Sequence, residues 1–112
     1  VLRRFIAHAG RRRLAAIVEV HTPDEVAVAV DAGAGIIGIN NRNLQTLEVD
    51  LATTPRLRPM IPSGILVVSE SGFERREQVA QAERAGVDAV LVGTSLMASA
   101  DPAAKLRELR GV

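Results

Sequence analysis

The sequence predicts an α/β fold of parallel β/α units, the C-terminal half (strands five to eight) of a TIM (β/α)8 barrel. Three observations carry this. Four short aliphatic runs, residues 15–20, 36–40, 65–70 and 89–92, are strand-length and lack helical periodicity. Segments with helix caps, apolar faces and stops separate them. Strand and helix therefore alternate strictly, which requires parallel strands and right-handed crossovers. Each run also ends in a residue with chemical capacity: Glu19, Asn40, Glu70 and Gly93. A doubly wound sheet concentrates its site at one switch point, whereas a barrel rings its mouth with strand-end residues. A whole barrel takes eight strands and about 250 residues; these 112 residues supply four strands. They are expected to form one half-barrel domain, with residues 1–13 ending a preceding helix and loop and 14–112 carrying the four units.

Each element has a local reason. The opening residues to about His8 read as the tail of a helix, with Leu2 and Phe5 as its apolar stripe. The chain opens in mid-pattern on Val1, not Met, and is expected to be a fragment or a processed form of something longer. Thr22-Pro23-Asp24-Glu25 starts the next helix, with a Thr cap, Pro in the first turn and Glu at the capping-box position. Val26, Val30 and the alanines give its apolar face, and Gly33 stops it. Residues 53–60 form a shorter helix, after which Pro62-Ser63-Gly64 turns the chain into the third strand. Residues 75–85 form another, with Val79, Ala82 and Ala85 on one face and Gly86 as its stop. Asp101-Pro102 opens the last helix, which runs to about Arg110. The passages from helix stop to strand at 32–39 and 85–92 resemble each other, as repeated β/α units would.

Composition narrows the function. A hydrophobic share of 47% with 24% charged residues is globular, and a formal charge of +1 gives no global attraction to nucleic acid or membrane. Aromatics are only Phe5 and Phe73, so the core is aliphatic, as buried parallel strands are, and base-stacking modules are disfavoured. Absence of cysteine removes disulfides and thiolate chemistry and suits a cytoplasmic setting. No apolar run is long enough to span a membrane, and no signal peptide is visible.

The strand ends carry the chemistry. Glu70-Ser71-Gly72 and Gly93-Thr94-Ser95 end neighbouring strands in small residues, whose backbone N–H groups can face one anion. Ser71, Gly72, Gly93 and Thr94 are thus the expected phosphate cradle. Glu19 and Glu70 are paired carboxylates suited to acid–base work, and Asn40 and Arg42 stand between them in sequence.

In order and spacing, Ile17-Val18-Glu19-Val20-His21, Gly38-Ile39-Asn40-Asn41-Arg42-Asn43-Leu44, Ser69-Glu70-Ser71-Gly72 and Gly93-Thr94-Ser95-Leu96-Met97 closely resemble indole-3-glycerol-phosphate synthase. The likeness runs from about Ala15 to the C-terminus and covers only the C-terminal half of that family's barrel. The Gly-Ile-Asn-Asn-Arg-Asn-Leu run is its most specific part. The resemblance implies ring closure of 1-(2-carboxyphenylamino)-1-deoxyribulose 5-phosphate, a phosphorylated small molecule, with release of carbon dioxide and water in tryptophan biosynthesis. It implies no metal and no organic cofactor. Glu19, Glu70 and Asn40 correspond to active-site residues, Arg42 and Ser71 to substrate-binding ones, and Ser71, Gly72, Gly93 and Thr94 to the phosphate site. The family's general acid is a lysine from the barrel's first half. The only lysine here is Lys105, on the last helix. Thr94 stands where serine is frequent, and Ser69 where a small apolar residue is common.

Plainer readings stand beside these. Arg42 could pair on the surface with Glu48 or Asp50, and Asn40 could simply cap a turn. The two small-residue strand ends could be tight turns alone. His21 has no second His or Cys to make a metal site and reads as structural or as supporting a neighbour. Arg11-Arg12-Arg13 reads as a solvated loop and Met97 as core. Another phosphate-binding barrel, such as a phosphoribosyl isomerase, or a non-catalytic phosphate-binding half-barrel remains open. A half sheet would leave two open edges and an uncovered inner face, so pairing with a complementary N-terminal half, or self-association, is expected.

Overall fold

A computed structural model describes all 112 residues, Val1–Val112. Its elements, in order, are α1 (Leu2–Arg11), β1 (Ile17–Val20), α2 (Pro23–Asp31), β2 (Ile36–Asn40), α3 (Thr53–Leu57) running into a 3-10 turn (Arg58–Met60), β3 (Leu66–Glu70), α4 (Arg76–Ala85), β4 (Ala89–Leu91), α5 (Thr94–Met97) and α6 (Pro102–Arg110). The four strands form one parallel sheet in the order β1-β2-β3-β4, as half of a β/α barrel requires.

The helices begin and end where their caps dictate. Thr22 Oγ1 accepts from Glu25 N, and Glu25 Oε1 reaches back one residue beyond the cap, to the N–H of His21. Asp101 Oδ1 accepts from Ala104 N, and Gly86 and Gly111 close α4 and α6 in the left-handed region. In α1 the inward stripe is Leu2, Ile6 and Ala9, spaced at four and three residues. Phe5 points outward and is 67% exposed, against expectation. The short α5 is a further departure. After Gly93 the chain makes a single helical turn, so Leu96 packs against the core while Met97, expected inside, is 85% exposed.

Strand alternation sorts the sheet into two faces. Val20, Ile37, Ile39 and Val67 point toward the helices and are fully buried with Val26, Ala29, Leu57 and Ile61. A second cluster joins Phe73, Val79, Ala82 and Leu109. The opposite face carries Ile17, Leu66 and Leu91, each more than half exposed, together with Glu19, Asn40 and Glu70 at its C-terminal end.

The faces predict a contrast. Ile37→Ala empties a fully buried position and should lower the unfolding free energy by about 2–5 kcal/mol. Leu91→Ala removes a half-exposed side chain and should cost less than about 1 kcal/mol. Urea denaturation of the two variants checks this, and equal losses would contradict the assignment of faces.

Candidate functional site

The register of three strands assembles the site. Glu19 lies opposite Gly38, and Asn40 lies opposite Glu70. All four therefore share the uncovered face, at the C-terminal end of the sheet. Asn40 Nδ2 donates to Glu19 Oε1 at 2.5 Å. Asn40 Oδ1 accepts from Ser71 Oγ at 2.8 Å and from Arg42 N at 2.9 Å. One amide thus links a carboxylate of β1 to the serine that follows β3.

Glu70 reaches sideways across β2. A Cβ built on Gly38 would overlap Glu70 Oε2, so the missing side chain at 38 is what admits the carboxylate. Glu70 is 8% exposed. Burial first, and the Glu19 carboxylate second, push its carboxyl above the ordinary carboxylate range, while His21 pulls the other way. His21 itself sits between two acids, with Nε2 3.5 Å from Glu19 Oε1 and Nδ1 3.4 Å from Glu25 Oε1. Its Nε2 is buried without a hydrogen-bond partner. No group of three or more His, Cys, Asp or Glu side chains is arranged to hold a metal ion.

Ser71, Gly72, Gly93 and Thr94 line a single cavity of about 400 Å³, together with Glu70 and Arg42. Ser71 and Gly72 are both left-handed, at φ 77° and 93°. Val49 and Leu51 press on Gly72 so closely that a Cβ there would collide. Ser95 Oγ donates to Phe73 O and ties the turn after β4 to the loop after β3. A second, more polar cavity of about 610 Å³ lies over the loop after β2 and is lined by His21, Asn40, Arg42, Glu48 and Arg56 among others. Arg42 borders both cavities. Its guanidinium donates to Leu47 O and makes no ion pair with Glu48 or Asp50, since Asp50 pairs with Arg56. Lys105, on α6, donates to Glu74 O and pairs with Glu108, and lines neither cavity.

Every residue expected at the site thus falls on one rim, with Glu19 just outside the two cavities. Sequence reasoning gave no role to Gly38 or to a buried trio, Asn41, Thr54 and Ser69. Their signal was present. Ser69 and Asn41 are polar at positions where the strand alternation points to the core, and Gly38 is a glycine in mid-strand.

Comparison with known proteins shows the family. A family model described as indole-3-glycerol phosphate synthase matches residues 1–109. The enzyme of that name from Dehalococcoides mccartyi (strain ATCC BAA-2266 / KCTC 15142 / 195) is 55% identical over 93 residues, which is 83% of this chain and 36% of that protein. Its namesake from Ruminiclostridium cellulolyticum is 44% identical over 110 residues, 98% of this chain and 42% of the other. That of Methanocaldococcus jannaschii is 45% identical over 104 residues, covering 93% and 39%. The chain therefore spans only 36–42% of the length of these relatives. Among solved structures, thiamine phosphate pyrophosphorylase from Pyrococcus furiosus superposes with a TM-score of 0.78 at 20% identity, over 99% of this chain and 53% of that one. At that identity the likeness shows the fold alone.

Three predictions follow from Glu70. A carboxyl whose folded-state pKa is raised stabilises the fold fully below the unfolded-state value, and that contribution is lost as pH rises through the folded-state value. Stability should therefore fall with rising pH across that window, and less so in Glu70→Gln, as urea midpoints against pH would reveal. In Glu19→Gln, carboxyl NMR should find Glu70 titrating lower than in the parent but still above the ordinary range, because burial is the larger cause. Gly38→Ala should cost about 1–3 kcal/mol by crowding Glu70. Adding Glu70→Ala should recover most of that loss, and a purely additive double variant would refute the crowding.

Proposed function

Because this chain belongs to the indole-3-glycerol phosphate synthase family, we propose that it carries one half of an active site that closes an indole ring. The substrate is 1-(2-carboxyphenylamino)-1-deoxyribulose 5-phosphate, and carbon dioxide and water leave. One observation carries the reading. The hydrogen-bonded line Glu19–Asn40–Ser71 joins one carboxylate to the Ser71-Gly72 turn, and strand register sets a second, Glu70, beside it. Such a line suits a substrate that is anionic at one end and becomes positively charged in the middle of the reaction.

In this proposal Ser71, Gly72, Gly93 and Thr94 hold the phosphate through N–H and hydroxyl groups. That fixes the far end of the substrate and supplies binding energy remote from the reacting carbons. Arg42, which borders both cavities, takes the substrate's other anionic group. Glu70, whose pKa is raised toward the working pH, moves the proton when the ring regains aromaticity. Glu19, held by Asn40, stabilises the cationic nitrogen that forms as the ring closes. Protonation of the attacked carbonyl needs an acid that Lys105 does not provide, because its ammonium is committed on α6. That acid belongs to a complementary N-terminal half-barrel, which would also cover Ile17, Leu66 and Leu91 and close the open edges of β1 and β4. The setting is cytoplasmic, and no helix is long and apolar enough to cross a membrane.

A steady-state assay for indole-3-glycerol phosphate tests the proposal. The chain alone should show no turnover. Mixed with the N-terminal half of the Ruminiclostridium cellulolyticum relative, it should turn over substrate, and Glu70→Gln should lower that rate by about 10²–10⁴-fold. Turnover by the chain alone would refute the need for the second half. A well-formed complex that stays inactive, by light scattering and assay together, would refute the ring-closing reading.

A further inference from the structure

Asn40 and Asn41 are adjacent, and strand alternation sends their side chains to opposite faces of the sheet. Asn40 belongs to the open face. Asn41 turns beneath the sheet toward α3 and is 2% exposed. There it forms a closed ring of hydrogen bonds with two hydroxyls that are equally buried. Asn41 Nδ2 donates to Ser69 Oγ at 3.1 Å, Ser69 and Thr54 hydroxyls lie 2.6 Å apart, and Thr54 Oγ1 donates to Asn41 Oδ1 at 2.9 Å. The proton count closes when Ser69 donates to Thr54, since each hydroxyl then donates once and accepts once.

One donor remains, the second hydrogen of Asn41 Nδ2, and it goes to Ser71 O at 3.1 Å. A carbonyl can only accept, so this bond also fixes which way round the amide lies. The backbone N–H of Asn41 donates to Glu70 O at 2.8 Å. A single residue therefore holds three successive residues of the next strand end: Ser69, Glu70 and Ser71. The last of these needs holding. Ser71 is left-handed at φ 77°, a conformation that costs a non-glycine residue about 1–2 kcal/mol. Its hydroxyl is bound by Asn40 and its carbonyl by Asn41, so the two asparagines grip it from opposite faces.

We propose that Asn41 is a positioning residue, which holds the Ser71-Gly72 turn in its left-handed form and so sets the geometry in which that turn meets phosphate. The phosphate part rests on the cradle reading given above; the hold on Ser71 does not. Thr54 and Ser69 satisfy the rest of the Asn41 amide, whose orientation the Ser71 carbonyl sets, and this accounts for two polar side chains in an otherwise aliphatic core.

The test uses the whole chain, isotope-labelled, with two readouts. The HN–Hα coupling of Ser71 reports its φ without ligand. Titration with inorganic phosphate reports the cradle through the amides of Ser71, Gly72, Gly93 and Thr94. Removing Asn41 alone would leave the buried Thr54–Ser69 pair with one hydroxyl proton and no acceptor, and could unfold the chain. The informative pair is therefore Thr54→Val/Ser69→Ala against Asn41→Leu/Thr54→Val/Ser69→Ala. The double variant keeps the bond to Ser71 O, and should keep the Ser71 coupling and bind phosphate within about twofold of the parent. The triple variant leaves no stranded hydroxyl. At similar stability by urea denaturation, it should shift the Ser71 coupling and weaken phosphate binding about tenfold, as expected for one lost oriented hydrogen bond. A triple variant with the parent coupling and affinity would overturn the proposal. If the parent itself shows no phosphate response, the cradle reading falls, and the Ser71 coupling alone decides the role of Asn41.

Discussion

The pairing of β2 with β3 is the constraint on which the rest depends. Five residues of each strand are in register, from Ile36 opposite Leu66 to Asn40 opposite Glu70. Side chains alternate along a strand, so a one-residue slip of β2 would turn Asn40 toward the helices and bring Ile39 to the open face, and a slip of β3 would do the same to Glu70 and Ser69. The aliphatic positions prevent this. Ile37, Ile39 and Val67 are completely buried against the helices, and a register slipped by one residue cannot keep them there. Core packing on one face of the sheet thereby positions the polar groups on the other.

Those polar groups sit at some cost to stability. Glu70 is held in a notch beside another carboxylate, where its charged form is disfavoured, and Ser71 is bent into a conformation that suits glycine better. Both are next to places where the chain has given up side-chain volume, Gly38 and Gly72. Local rules broken together at one rim, with compensation from buried neighbours, are what a site looks like when function and folding compete.

Much of this was legible in the sequence, and the reasons are specific. Strand ends were legible because aliphatic runs stop sharply at Asn40 and Glu70 and are broken by Glu19 one residue before the end of β1. Helix ends were legible because Thr22, Asp101, Gly33 and Gly86 have capping chemistry. The Glu19–Asn40–Ser71 line could be expected as neighbours but not as a hydrogen-bonded unit, since register between strands is a tertiary property. The fate of Met97 was misread because α5 is a single turn: four residues give too little period to say which side faces in. Phe5 was misread because hydrophobicity was weighed above spacing, and Ile6 has the better phase with Leu2. The pair Asn41 and Ser69 was hidden for a different reason. Each is an ordinary loop or strand-end residue alone, and their meaning appears only when Thr54 is brought between them.

The strand order runs β1-β2-β3-β4 without a break, and this bears on how the chain acquires its shape. Every sheet contact joins a unit to the next one along the polypeptide, so no pairing has to wait for a distant segment to arrive. Structure can grow as a zipper, each new strand docking on the one just formed. The two rows of the zipper are unequal. β2 and β3 are five residues long and hold the buried cluster, whereas β4 is three residues long and lies at an open margin. Opening should therefore start at the β4 margin and stop at β3, which leaves Glu70 and its notch intact while Gly93 and Thr94 come and go. The two sides of the proposed phosphate cradle then differ in permanence: one is part of the rigid middle of the sheet, the other of its fraying end.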